Sequence, residues 1–302
     1  MNLTIGLVGC GRWGINHLRT LMSLKSIGRL GRVVVCDIDS TKLDALEADA
    51  TYSSLTQMLE DEQLDGLAIV TPPDTHVALA RQGLAHNLPL LVEKPLALDH
   101  ETAVDFLTTL PNESVLVVGY ILRHHHGIKR LLAADVQEVL GDLLSVRYDR
   151  QTVRARPPDA RPISTLGVHA LDLIAWLLGQ TLSSGEVASK RETDDDAAVR
   201  LVFPSGQEGV FDVAWSAPEE RRFLHLEGAL GRATLDFGSG LISLETGQKI
   251  KTIQSAGHEA LVEEWNHFLD HFNTPAKHIF PSVERLLDQS EWLNAHSAKD
   301  SV

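Results

Sequence analysis

Residues 4–18 read TIGLVGCGRWGINHL and set Gly9-x-Gly11-x-x-Gly14 directly after an apolar run and at the head of a helical pattern. A glycine loop in that context can cradle a pyrophosphate. Its first glycine turns the chain tightly, the second lets the phosphates approach the backbone, and the third allows close packing of helix on strand. The helix N-terminus then offers unpaired N–H groups and a partial positive charge. Asp37 follows the next apolar run, RVVVC. An acid there accepts hydrogen bonds from an adenosine ribose and repels a 2′-phosphate. Its neighbours, Ile38 and Asp39, include no arginine to welcome that phosphate. The expected ligand is therefore NAD, with NADP disfavoured, held by Gly9, Gly11, Arg12, Trp13, Gly14 and Asp37. A second unusual stretch is LVEKPLAL at residues 91–98. Strands of parallel sheets read as continuous apolar runs, and Lys and Glu are seldom buried unpaired. Either the strand ends at Val92, or its end delivers Glu93 and Lys94 into a cleft.

Elements that could position these residues follow from the pattern. The runs LTIGLVG, RVVVCD, DGLAIVT, PLLVE and SVLVVGY alternate with amphipathic stretches such as 75–86 and 99–110. That alternation predicts βαβ units and a doubly wound parallel sheet over residues 1–120. Asp99 is the expected N-cap of the second stretch. After Tyr120 the pattern changes. LGVHALDLIAWLLG (166–179) reads as a helix ending at Gly179. Period-two runs follow it: AVRLVF, GVFDVAWSA, RRFLHLEG, RATLDF and LISLET, with PSGQ (204–207) as a hairpin turn. These predict a mostly antiparallel, open sheet covered by helices on one face, giving an α/β domain followed by an α+β domain over 121–302. Helical segments over 259–272 and 282–297 close the chain, the last packing back on the first domain. Val210, Leu224 and Leu226 are expected on the uncovered face, which would make the second sheet the interface of a homodimer or homotetramer. Trp215, Trp265 and Trp292 are assigned to cores or to that interface.

Composition excludes several classes. The 302 residues carry 27 Lys+Arg against 41 Asp+Glu, a formal net charge of −14, which argues against a nucleic-acid partner. No apolar stretch approaches the length of a membrane span. No basic leader with a cleavage site opens the chain. Cys10 and Cys36 are the only cysteines, read as small apolar fillers in a cytoplasmic, reducing compartment.

The segments GCGRWGINHLRTL, VVVCDIDSTKLDAL, IVTPPDTHVALARQGLAHNLPLLVEKPLAL and GVHALDLIAWLLG resemble, in order and spacing, the Gfo/Idh/MocA oxidoreductases. EKP at 93–95 is the most specific of these motifs. The resemblance implies that Lys94 is catalytic beside nicotinamide and substrate, and that the Lys94–Pro95 bond is cis. Glu93 would sit near the cofactor, and Thr71, Pro72 and His76 of TPPDTH would line the same cleft. Many relatives carry Asp-x-Gly-x-His-x-x-Asp, where this chain has Thr165, Gly167, His169 and Asp172. His169 and Asp172 share a helix face, so a carboxylate could fix the imidazole tautomer of a group suited to proton transfer near neutrality. Arg123 matches an arginine of sugar-nucleotide members, and Arg154, Arg156 and Arg161 crowd the loop before His169. Lys94, Arg123, Thr165 and His169 are thus the expected substrate contacts. No metal site is expected, and His124–His126 read as a polar cleft wall. The implied activity is hydride transfer between NAD and a secondary hydroxyl or ketone of a sugar, possibly a sugar nucleotide. The alternatives are an inositol or free-sugar dehydrogenase, a keto-sugar reductase, or a non-catalytic NAD-binding regulator.

Overall fold

The computed structural model describes residues 2–158, 160–272 and 277–296. The chain divides into two compact units, the first built from residues up to 121 with 261–290, the second from 122–260 with 291 onward.

The first unit alternates strands and helices: β1 (Thr4–Val8), α1 (Arg12–Ser26), β2 (Arg32–Cys36), β3 (Ala50–Tyr52), α2 (Leu55–Asp61), β4 (Gly66–Ile69), α3 (His76–Ala85), β5 (Leu90–Val92), α4 (His100–Thr108) and β6 (Val115–Val118). Local rules set several boundaries. Asp99 caps α4 by accepting the Thr102 N–H at 2.7 Å, and Ser54 caps α2. Strands β1, β2, β4, β5 and β6 are buried almost throughout, which is why each reads as an unbroken apolar run.

The second unit holds α5 (His126–Leu131), α6 (Ala134–Leu140), β7 (Leu143–Gln151), α7 (Val168–Leu178) and the strands β8 (Glu186–Glu192), β9 (Asp196–Val202), β10 (Glu208–Ala214), β11 (Arg221–Gly228), β12 (Arg232–Asp236), β13 (Leu241–Thr246) and β14 (Lys249–Gln254). The chain then returns to the first unit with α8 (Ala260–Asp270) and β15 (His278–Phe280), and α9 (Val283–His296) follows. Ser297, the expected end of that last helix, lies outside the described residues.

The first sheet is parallel in the order β15-β6-β5-β4-β1-β2-β3. Strand order reverses between β1 and β4, and a doubly wound sheet binds its ligands outside the carboxyl ends at such a point. Gly9 follows β1, Asp37 follows β2, the 70–72 turn follows β4, and Glu93 and Lys94 follow β5. Every candidate residue of this unit's strand ends is therefore delivered to one edge. Ile5, Leu7, Val33 and Val35 pack with Leu18 and Leu21 of α1 and with Trp265 and Phe268 of α8. Full burial of such side chains contributes about 1.5–3 kcal/mol each.

The second sheet runs β14-β13-β12-β11-β7-β10-β9-β8 and is antiparallel except for the β7–β10 pair. α7 covers it at β7 and β10 and ends at Gly179 in the left-handed region, φ 67. Alternation buries Val146, Tyr148, Phe211, Val213, Leu224 and Leu226. Leu224 and Leu226 were expected on the uncovered face; they lie in the core instead, because they share register with Tyr148 and Val146 of β7. Arg147, Asp149, Gln151, Asp212, Phe223 and His225 point the other way and line a polar surface concavity of about 630 Å³. Of the three expected residues only Val210 alternates onto that face, so the apolar argument for self-association there loses Leu224 and Leu226. Among the described residues no helix is long and apolar enough to cross a membrane.

Candidate active site

The three loop glycines are required for three different reasons. Gly9 has φ 97, and a Cβ there would stand 2.5 Å from the Val70 carbonyl oxygen. At Gly14 a Cβ would stand 1.9 Å from the carbonyl oxygen of Gly9. At Gly11 a Cβ would meet nothing within 4 Å. Gly11 is also the N-cap of α1 and supplies no side chain to its first turn. The loop thus leaves an open backbone concavity over uncapped N–H groups, which fits the pyrophosphate of a dinucleotide. Arg12 and Trp13 stand exposed at its rim.

Asp37 fastens this loop to β2. Its carboxylate accepts the Cys10 N–H at 2.7 Å and the Asp39 N–H at 2.9 Å. Burial would raise its pKa, but those N–H groups and the Lys42 ammonium outweigh burial and hold it below the usual value. Lys42, at 3.3 Å, is a cation that sequence reasoning overlooked. Only arginines beside Asp37 were sought, and the turn after β2 brings Lys42 round from five residues on. Ile38 is 92% exposed next to this acid, an apolar plate of the kind an adenine ring can lie against. Burial, with Asp37 as the second cause, lifts the Cys10 thiol to about 12, and burial followed by Asp37 lifts Cys36 to about 11. Both are unionised fillers, free in the sense of forming no disulfide.

Beyond β5, Glu93 is buried and its carboxylate is the hub of a polar cluster. Trp13 donates its indole N–H to Glu93 Oε1 at 2.6 Å, the His17 Nε2 lies 3.2 Å from the same oxygen, and the Lys94 backbone N–H donates to Oε2 at 3.1 Å. Burial works against ionisation of Glu93, yet His17, Lys94 and Trp13 together keep its pKa below the ordinary value. Gly119 makes room for this carboxylate, since a Cβ there would come within 2.8 Å of Oε1. Glu264 of α8 completes the cluster, with ligand atoms of His17, Glu93 and Glu264 all within 4.8 Å of one another. Among the described residues neither Glu264 oxygen has a hydrogen-bond partner. Burial, reinforced by the charge of Glu93, pushes its pKa well above the usual carboxyl range. His17, Gly119 and Glu264 escaped sequence reasoning; the placement of His17 three residues after Gly14 was the one local signal.

Lys94 is half-buried and follows directly, across a cis Lys94–Pro95 bond. Burial lowers its pKa, opposed by the charge of Glu93. A lowered lysine pKa is the physical requirement for an amine that exchanges protons near neutrality. His76 was expected to line the cofactor cleft, but it is 1% exposed. Its Nδ1 lies 2.8 Å from the Pro95 carbonyl oxygen and its Nε2 2.8 Å from the Thr71 carbonyl oxygen, and the neutral ring donates to one of the two at a time. His76 is therefore a brace under the Lys94–Pro95 turn, its pKa lowered by burial. Thr71 is half-buried with its hydroxyl 2.6 Å from that of Thr75, and Pro72 is exposed.

In the second unit, His169 is half-buried on α7. Asp172 accepts hydrogen bonds from Arg123, Nε at 2.9 and 3.1 Å and a terminal nitrogen at 2.8 Å. The pair is buried, and the guanidinium lies over the Trp176 ring at 4.7 Å. Arg123 and Asp172 were expected to act separately, on substrate and on His169; the fold brings them together as one charge-neutral unit. Thr165 lies in a π-helical turn, Ile163–Gly167, and its hydroxyl donates to the Arg161 carbonyl at 2.5 Å. Of the crowded arginines, Arg156 pairs with Asp195 at 3.1 Å and Arg161 with Asp194 at 3.7 Å, and Arg150 of β7 pairs with Glu220 at 3.3 Å. His125 accepts the Gly127 N–H at 3.0 Å, and His126 contacts the Ser255 hydroxyl at 2.8 Å. Burial, then the neighbouring His126 and Arg222, draw the His125 pKa down to about 4.

Comparison with known proteins accords with this geometry. Residues 3–120 match the oxidoreductase family with an NAD-binding Rossmann fold, and residues 130–234 match the GFO/IDH/MocA C-terminal domain. Inositol 2-dehydrogenase 1 of Saccharopolyspora erythraea is 30% identical over 220 residues, covering 68% of this chain and 62% of that protein. The matched region thus spans about three-fifths of the curated relatives' length. Among solved structures, an oxidoreductase from Agrobacterium radiobacter in complex with NAD+, L-tartaric acid and magnesium superposes with a TM-score of 0.80 at 18% identity, over 98% of this chain and 95% of that one. A UDP-N-acetylglucosamine 3-dehydrogenase from Acidithiobacillus ferrooxidans superposes with a TM-score of 0.78 at 21% identity, over 98% and 97% of the two chains. With glycine loop, acid after β2 and EKP lysine in place, and both domain models matched in order, the chain belongs to the GFO/IDH/MocA oxidoreductase family.

Proposed function

We propose that this protein is an NAD-dependent dehydrogenase of a secondary hydroxyl on a sugar or cyclitol, or a reductase of the corresponding ketone. The observation that carries this reading is Lys94: a half-buried amine of lowered pKa, at the same sheet edge as the glycine loop. NAD, when bound, supplies the hydride-transfer chemistry. Lys94 as neutral amine takes the hydroxyl proton in oxidation, and as ammonium returns one to the carbonyl oxygen in reduction. Glu93 orients the turn that carries Lys94 and limits how far its pKa falls. His169 is the second proton-carrying group of the proposal, and Thr165 and Arg123 its substrate-positioning groups. Asp37 favours NAD over NADP through its charge, a preference moderated by Lys42.

The substrate class favoured is a neutral polyol. Arg123, the arginine matched to the sugar-nucleotide members, and Arg156 and Arg161 of the loop before His169 are paired with carboxylates, which leaves less positive charge for an anionic substrate. A sugar nucleotide would have to draw Arg123 from Asp172. The buried free thiols suit a reducing cytoplasm. Self-association, if it uses the uncovered sheet face, would rest on polar contacts.

A panel of inositols, free sugars and sugar nucleotides assayed for NAD-linked turnover tests the reading. A neutral polyol is expected to give the highest kcat/KM, and turnover should vanish in Lys94→Met. No turnover with any member, with NAD binding intact, would point to the non-catalytic regulator instead.

A further inference from the structure

A cluster of histidines lies away from this chemistry. His267 on α8, His271 one turn later, and His278 at the start of β15 present ligand atoms that all lie within 4.8 Å of one another. β15 pairs in parallel with β6, His278 opposite Val115 at the amino ends of both strands. Lys94 follows the carboxyl end of β5 in the same parallel sheet, so the cluster sits at the opposite edge of the sheet from the candidate active site.

We propose that His267, His271 and His278 form a binding site for a divalent d-block cation, zinc above all, which clamps α8 to the edge strand β15. The Nε2 atoms of His267 and His278 are 3.1 Å apart, sharing one proton in a hydrogen bond. Two imidazole nitrogens that each bond a zinc ion at about 2.0–2.1 Å stand roughly that far from one another. Cation binding moves the shared proton to the donor ring's Nδ1, so that both Nε2 lone pairs face the ion. The His271 ring packs on His278 with centroids 3.6 Å apart and planes 13° from parallel. The His271 Nδ1 is 2.6 Å from the His267 carbonyl oxygen. A carbonyl accepts only from an N–H, so this bond fixes the Nδ1–H tautomer and leaves the Nε2 lone pair as the ligand. Such a hydrogen bond from the non-ligating nitrogen is what orients histidines in metal sites. Phe280, its ring 4.5 Å from that of His267, supplies an apolar wall. All three side chains are half-buried, so solvent can fill the remaining coordination position. Three neutral imidazoles suit Zn2+, Cu2+ or Ni2+ and discriminate against Mg2+ and Ca2+, which require oxygen.

The test uses the full chain stripped of metal by chelation. Zn2+ is titrated by calorimetry, and Co2+ by visible absorption, which reports nitrogen coordination independently of turnover. One saturating equivalent is expected, together with a rise in melting temperature. Affinity should fall about tenfold or more in His271→Ala and in His278→Gln, circular dichroism verifying that each variant is folded. Should a variant fail to fold, the Co2+ spectrum of the unaltered chain still decides. Absence of saturable binding overturns the proposal. So does a His271→Ala/His278→Gln double variant that binds Zn2+ as tightly as the parent, which would locate the ion elsewhere, such as at His124–His126.

Discussion

Lys94 illustrates how much one side chain depends on its neighbours. In water its amine would stay protonated far above neutrality, with an ordinary pKa of about 10.4. Burial lowers that value while Glu93 restrains the fall. Lys94→Met should fold, keep NAD affinity within about twofold and lose all but a residual fraction of turnover, by about 10²-fold or more. Steady-state assays beside calorimetry check this. Oxidation by the unaltered protein should rise with pH as the amine deprotonates, with its midpoint below that of free lysine; a flat profile in Lys94→Met identifies the group. Lys42 gives a second test at this scale. Its ammonium, 3.3 Å from Asp37, offsets the charge that repels a 2′-phosphate. Lys42→Ala should widen the preference for NAD over NADP by about three- to tenfold, whereas Asp37→Ala should narrow it. Titration of both cofactors against each variant measures the change.

Among the elements, the β1–α1 loop separates steric from ligand-binding roles within one motif. Gly11→Ala adds a methyl group to open space at φ −70. It should cost stability less than about 1 kcal/mol yet weaken NAD binding about tenfold or more, by filling the pyrophosphate concavity. Gly14→Ala drives its methyl into the Gly9 carbonyl, and should cost about 1–3 kcal/mol or more even without cofactor. Chemical denaturation and NAD titration of the two variants distinguish these outcomes. α8 supplies the other element-scale case. Glu264 is buried beside Glu93, with its folded pKa raised. Its folded state therefore holds a proton that the unfolded chain releases above about pH 4.3. Stability from this group is complete below that pH and is lost as pH rises toward the folded pKa. Glu264→Gln should leave stability near pH 4.5 almost unchanged and raise it at pH 8, as read from melting at the two pH values.

At the scale of the whole molecule, each of two sheets supports its own charged machinery. The second unit keeps a buried ion pair, Arg123–Asp172, with side chains 6% and 7% exposed. Taking two charges from water gives little net stability, but leaving one of them alone there is costly. Asp172→Ala should destabilise the protein by about 3–5 kcal/mol, and Arg123→Met/Asp172→Leu together by much less. Urea unfolding of the single and double variants measures the difference.

Reading elements and motifs from the chain worked where the controlling interactions are local. Strands buried on both faces must be apolar throughout, so β1, β2, β4, β5 and β6 are legible. The glycine loop is legible because φ 97 at Gly9 and the clash at Gly14 restrict residue type at fixed spacing. Asp37, the Asp99 cap, the 204–207 turn and the Gly179 stop are local for the same reason. Tertiary structure alone decided the rest. β3 and β15 are three residues long and, unlike β5 of the same length, are not fully buried, so no apolar run marks them. β15 takes its place only by pairing with β6 across more than 150 residues of chain. The facing of Leu224 and Leu226 followed from register with β7, a one-residue choice that alternation alone leaves open. Partnerships such as Arg123 with Asp172, Lys42 with Asp37, and Glu93 with His17 and Glu264 join separate elements. A charge's partner is set by where the fold removes water around it, and the order of residues along the chain does not contain that information.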